Sequence, residues 1–114
     1  MSRILIKKKL CSDRCPFRIV MDRLGDKWSI LILNVLFENG VLRFNELMSC
    51  IDAISLKVLA STLHTLENEG FVSRAVYPEV PPRVEYRLTK QGRDLIPFIQ
   101  SLSEWAVKNI KTSL

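Results

Sequence analysis

Only one histidine, three cysteines and four glycines occur among the 114 residues, and each scarcity removes a class of function. The lone His64 has no nucleophile and acid at motif spacing, so no catalytic relay can be assembled around it. Three cysteines are an odd number in a chain long enough to build its own core, which argues against a disulfide scaffold. Cys11 and Cys15 make a C-x3-C pair, whereas structural zinc sites favour other spacings and need a second pair; only Cys50 and His64 remain for that. No glycine-rich phosphate loop is present. Neither an enzyme, nor a metal site, nor any other cofactor is expected.

Long apolar runs are also missing. None approaches the roughly 18 residues of a membrane span. The opening "MSRILIKKKL" has three apolar residues before a lysine run, too few for a secretory signal. A cytoplasmic protein that does not engage the membrane is the expectation. What is present is a soluble globular composition, 47% hydrophobic and 25% charged, sized for one domain over residues 1–114. Seventeen Lys and Arg against twelve Asp and Glu give +5, a balance that suits a polyanionic partner.

The helix signals carry clear punctuation. "CPFRIVMDRLG" predicts a first helix with Pro16 in its first turn, where the missing N–H costs nothing. Phe17, Val20, Met21 and Leu24 form its apolar side, and Gly25 is placed as a left-handed terminator. Asp26 is the cap candidate for "KWSILILNVLFEN", a helix apolar almost all round and therefore expected to be central and buried, ending at Gly40. A short extended piece, Val41 to Arg43, leads into a third helix with Phe44, Leu47, Met48 and Ile51 at helical spacing; Cys50 on it is expected in the core. Then "ISLKVLASTLHTLENEGF" opens on Ser55 as N-cap, with Ile54 and Leu59 spaced as a hydrophobic staple. Gly70 closes it, with Leu66 and Phe71 placed for the matching apolar contact. Its buried stripe should be Leu56, Leu59, Leu63 and Leu66; the opposite face carries Lys57, Ser61, His64, Thr65 and Asn68, polar and free of acid.

"RAVYPEVPPRVEYRL" follows, with two alternating arms around a tip holding three prolines. Val84, Tyr86 and Leu88 should face the core while Arg83, Glu85 and Arg87 face water. Arg74 and Arg87 read as cross-strand partners of Glu85, and Arg83 as projecting beside a stiff tip. Thr89 caps a last helical region, interrupted or restarted at Pro97, whose Phe98, Ile99, Leu102, Trp105 and Ile110 form an apolar stripe that asks for a partner. The order of helix, helix, short strand, helix, helix, hairpin, helix predicts a mainly helical α+β fold. The expectation is a winged helix-turn-helix with a two-stranded wing and a C-terminal helix that asks for a partner. Its parts divide as an N-terminal arm at 1–14, the helix-turn-helix at 44–69, the wing at 71–88 and the C-terminal helical region at 89–113.

"CPFRIVMDRLGDKWSILIL", "LRFNELMSCIDAISLKVLASTLHTLENEGFV" and "VYPEVPPRVEYRLTKQGRDLIPFI" together resemble the HxlR-type family of winged-helix transcriptional regulators, relatives of the MarR group. The resemblance runs from Cys15 to about Trp105. It implies a homodimer, joined through the N-terminal arm and last helix, that binds double-stranded operator DNA. The candidate DNA contacts are Ser55, Lys57, Ser61, Thr62, His64 and Thr65 on one helix, Arg83 on the wing, and Arg43 and Lys27 at helix starts. His64 departs from the pattern, since relatives often carry a basic residue there. In some members the cysteine before the first-helix proline senses oxidants or electrophiles. Cys15 matches that position, with Cys11 as a resolving partner. A helix N-terminus flanked by Arg14 and Arg18 also favours a thiolate. The effector, the operator and the sign of regulation are not written in the sequence. The rival expectation is a winged-helix protein-interaction module. The acid-free face without a large apolar anchor weighs against it.

Overall fold

The computed structural model describes residues 15–110. Five helices and three strands run in the order α1 (Pro16–Leu24), α2 (Ser29–Asn39), β1 (Val41–Arg43), α3 (Phe44–Cys50), α4 (Leu56–Asn68), β2 (Val72–Tyr77), β3 (Arg83–Leu88) and α5 (Lys90–Asn109). The strands form one antiparallel sheet in the order β1-β3-β2. The hairpin therefore gains a third strand from the extended piece before α3, and β3 is its centre.

The core is built from Ile32, Leu33 and Leu36 of α2, Leu47 of α3, Leu59, Leu63 and Leu66 of α4, Val72, Tyr86 and Leu88 of the sheet, and Ile96 of α5. Burying side chains of this size contributes roughly 1.5–3 kcal/mol each before the entropy of ordering them is subtracted. Two punctuation marks fix how α4 enters and leaves. Ser55 Oγ accepts from Val58 N at 3.1 Å, while Ile54 and Leu59 are both buried beneath it. At the other end Phe71 N donates to Leu66 O and Gly70 N to Glu67 O, a Schellman closure that needs the positive φ of Gly70 (+87°). The chain thus turns directly from α4 into the hairpin.

Five sequence expectations need correction. Gly25 terminates α1 with a right-handed backbone (φ −81°), because its N–H is already satisfied by Met21 O and the chain continues without reversing. The apolar side of α1 is not in the core: Phe17, Val20 and Met21 are exposed, and only Leu24 is buried. Helix α2 is not buried all round, since Leu31 and Phe37 reach the surface. Cys50 is exposed, because it lies at the last turn of α3 while Leu47 and Ile51 take the core side. Helix α5 runs unbroken through Pro97. Pro97 and Arg93 are both exposed, so water can meet the Arg93 carbonyl that the proline leaves without its helical donor.

Candidate nucleic-acid interface

Helix α4 carries the polar face expected of it. Lys57, Ser61, His64, Thr65 and Asn68 are exposed, and Thr62 is half-buried on the flank. Thr65 Oγ1 donates back to Ser61 O at 3.2 Å, and Asn68 Nδ2 stands 3.2 Å from His64 Nε2. The face is therefore rich in hydroxyl, amide and imidazole groups, and carries one ammonium and no carboxylate.

The first turn of α4 is where the structure departs from the periodic pattern. Leu56 was expected in the buried stripe but is 64% exposed, and Val58 is at the surface too. Leu59 is the first residue of the helix to reach the core. The side chains of the N-terminal turn, Ser55, Leu56, Lys57 and Val58, are thus all exposed. No signal in the sequence separates Leu56 from Leu59, because both lie on the apolar side of the helical wheel.

The wing hairpin follows at once. Its register sets Tyr77 opposite Arg83, Ala75 opposite Glu85, Arg74 opposite Tyr86 and Val72 opposite Leu88. On the other side of β3, Arg43 is opposite Glu85. Arg74 is thus on the Tyr86 face rather than paired across to Glu85, and Arg87 reaches Glu85 along its own strand at 3.7 Å. The five-residue tip fixes this register, which the alternation alone left open.

Arg83 does not project freely. Its guanidinium lies 4.2 Å from the centroid of the Tyr77 ring, with Nη2 3.0 Å from Glu79 Oε2 and Nε 3.7 Å from Glu85 Oε2. Sequence reasoning missed Tyr77 and Glu79 as its partners. The i,i+4 spacing of Glu79 and Arg83 across the tip was the available signal.

The remaining candidates divide between two regions. Arg43 is exposed at the start of α3, where its backbone N–H donates to Glu46 Oε1 at 2.7 Å. Lys27 stands with Nζ 5.0 Å from the Trp28 ring centroid and lines a groove between α2 and α5. Beside it, Asp26 accepts from the backbone N–H groups of Trp28 and Ser29 at 3.0 Å each and from Ser29 Oγ. Partial burial pushes the Asp26 carboxyl up, but these donors outweigh it and hold the group below its usual range.

On α5, Phe98, Leu102 and Trp105 share one exposed stripe, Ile110 is half-exposed at the helix end, and Ile99 packs toward the core. Together with the outward side of α1, this is a large apolar surface. Cys15 is the N-terminal flanking residue of α1 and is half-buried. Cys11 and the N-terminal arm at 1–14 lie outside the described residues, as do 111–113. Among the described residues no helix is long and apolar enough to cross a membrane, and no group of three or more metal-ligating side chains occurs.

Comparison with known proteins decides the family. Residues 23–113 match the model of the HxlR-like helix-turn-helix family. The chain belongs to that family. This member is 44% identical over 94 residues to an uncharacterised HTH-type transcriptional regulator of Halalkalibacterium halodurans, covering 82% of this chain and 83% of the relative. Among solved structures it is similar to the redox regulator HypR in its oxidised form, with a TM-score of 0.78, 37% identity, and coverage of 86% of this chain and 100% of HypR. It is also similar to the reduced form of the transcriptional regulator YodB from Bacillus subtilis, with a TM-score of 0.75, 38% identity, and coverage of 85% and 95%. This HxlR-like chain is thus a transcriptional regulator of the helix-turn-helix type with a winged-helix fold.

Proposed function

We propose that this HxlR-like regulator works as a homodimer that reads a pseudo-palindromic duplex operator. Helix α4 lies in the major groove, and Arg83 meets the neighbouring backbone or minor groove. The observation that carries this reading is the acid-free face of α4, whose first turn is exposed and whose last turn leads straight into the hairpin. A groove about 12 Å wide admits one helix. Ser61, His64 and Thr65 would then reach base edges, and Ser55 and Lys57 phosphates, with Thr62 at the margin. The exposed Leu56 and Val58 suit thymine methyl groups. Arg43 and Lys27 serve as outlying phosphate contacts. The absence of a large apolar or aromatic anchor from the outer face of α4 beyond its first turn favours DNA over a protein partner.

The dimer reading is supported by the exposed stripe of Phe98, Leu102 and Trp105 together with the outward apolar side of α1. Ile99 and Ile110 would flank the contact. Two-fold pairing sets half-sites about one helical turn, roughly 10 base pairs, apart or a multiple of that. Thiol responsiveness through Cys15, with Cys11 as resolving partner, is supported by the position of Cys15 at the start of α1 and by the likeness to the redox regulator HypR.

A labelled-duplex titration tests the DNA reading: Arg83→Ala should weaken binding to all sequences alike, whereas Ser61→Ala should change sequence preference. Equal losses across every sequence for Ser61→Ala would remove α4 from the base edges. For the thiol, mass mapping after mild oxidant, with Cys15→Ser as control, is the check. Unchanged DNA affinity after Cys15 oxidation would discard it.

A further inference from the structure

Arg83 is the cation on which the wing contact depends, yet its charge is already matched. Glu79 Oε2 is 3.0 Å from Nη2, and Glu85 Oε2 is 3.7 Å from Nε while its other oxygen is 3.7 Å from Arg87. Arg83 and Arg87 against Glu79 and Glu85 sum to no formal charge, so the tip cluster as folded presents no net attraction to a polyanion. The two carboxylates differ in freedom. The Glu85 side chain is 18% exposed and held in the middle of β3, opposite Arg43 on one side and Ala75 on the other. The Glu79 side chain is 52% exposed and sits on the tip, where its own N–H donates to Tyr77 O at 2.8 Å. Glu79 can leave; Glu85 cannot.

The guanidinium is equally well held without Glu79. The Tyr77 ring lies against one side of it, and Nε is buried with no hydrogen-bond partner, facing Glu85. The terminal nitrogens remain, and Glu79 holds one of them, Nη2. A phosphate oxygen needs those same atoms, because fork-shaped recognition uses the terminal nitrogens.

We propose that Glu79 is a built-in competitor for the DNA phosphate at Arg83, which tempers the affinity of the wing for any duplex and so leaves discrimination to α4. The inference rests on the DNA-binding reading and deepens it. When a phosphate arrives, the Glu79 carboxylate is displaced from Nη2 while Tyr77 and Glu85 keep the guanidinium in place. The displaced carboxylate then stands beside the DNA backbone and takes up a cation from solution. Binding through Arg83 consequently releases about one ion fewer than an uncompensated arginine would.

The test is fluorescence anisotropy on a mixed-sequence duplex long enough for two half-sites, at several salt concentrations. It uses the full chain as wild type, Glu79→Gln, Arg83→Ala and the double variant. Glu79→Gln should tighten binding by roughly three- to fivefold per wing, the range of an exposed ion pair removed from competition, and so by roughly 10- to 25-fold for a dimer engaged on both half-sites. It should also steepen the salt dependence by about 1.8 in log–log slope, about 0.9 for each of the two wings of the bound dimer. In the Arg83→Ala background the same change should alter affinity by less than about twofold, because Glu79 acts through that guanidinium. Weaker or unchanged binding by a folded Glu79→Gln protein would overturn the inference, making Glu79 a strut that positions Arg83 for DNA. An equal gain in both backgrounds would also overturn it, since the carboxylate would then act through the general field. Failure of the parent reading looks different: wild type would not bind the duplex at low salt, or Arg83→Ala would bind as wild type does, and the inference would fall with it.

Discussion

Gly92→Ala should destabilise this chain markedly. Gly92 is in the first turn of α5, and a Cβ there would lie 2.3 Å from the Phe71 carbonyl oxygen and 3.3 Å from Leu88 Cδ2. Reaching even 3.0 Å, a distance real Cβ atoms essentially never undercut, requires the two backbones to separate by about 0.7 Å, the difference of those distances. That joint holds Thr89 N to Phe71 O at 3.1 Å and Thr89 Oγ1 to Gly70 O at 2.6 Å. Stretching both bonds costs about 1 kcal/mol each, and loosened packing at Leu88 and Ile96 about 1 more. The helix propensity of alanine returns less than about 1 kcal/mol in a first turn. The net is about 2–3 kcal/mol of destabilisation, or a Tm lowered by about 8–15 °C. Urea unfolding at fixed protein concentration measures it, the concentration being held because dimerisation shifts apparent stability. An unchanged or raised midpoint would show that the α5 joint yields without cost, and that the close approach of helix to strand does not set the angle at which α5 leaves the domain.

Further outcomes follow from other joints. Ser55→Ala removes the acceptor for Val58 N and should cost about 1 kcal/mol, with Ser55→Gly losing only a few tenths; equal losses for both would deny the capping role. The folded carboxyl of Asp26 is held below its unfolded value near 3.8, so its contribution is complete above about pH 4 and is lost as pH falls through the lower folded value. Asp26→Asn should flatten the acid limb of the stability curve, and an unaltered limb would contradict the assignment. Trp105→Glu on the exposed stripe of α5 should weaken self-association by about 2 kcal/mol, roughly 30-fold, in analytical ultracentrifugation. An undiminished dimer would move the interface elsewhere.

Much of the fold was legible because its ends are written in residues with one job. Ser55 and Gly70 bracket α4 as expected, Thr89 caps α5 through Gly92 N, and the Val84, Tyr86, Leu88 alternation finds its inner face. What the pattern left open depends on where the core stops, which periodicity does not encode. Leu56 and Leu59 share a helical side, yet one is exposed and the other buried. Phe17, Val20 and Met21 are exposed on α1 although their spacing makes one apolar side. Pro97 was expected to interrupt a helix, but on the solvent side the freed carbonyl has water for a donor. At the candidate site the acid-free face of α4 was readable directly. The state of Arg83 was not, since it depends on a five-residue tip folding Glu79 back over the guanidinium and on the register that sets Tyr77 beside it.

The central claim, a duplex-binding regulator with α4 and the wing as its contact surface, meets its most direct test in a titration of the wild-type chain. The duplex spans its own promoter region, against a scrambled duplex of equal length, at two salt concentrations. Tighter binding to the promoter duplex is expected, with affinity for both falling steeply as salt rises because phosphate contacts release counterions. Absence of binding to either duplex at low salt would contradict it.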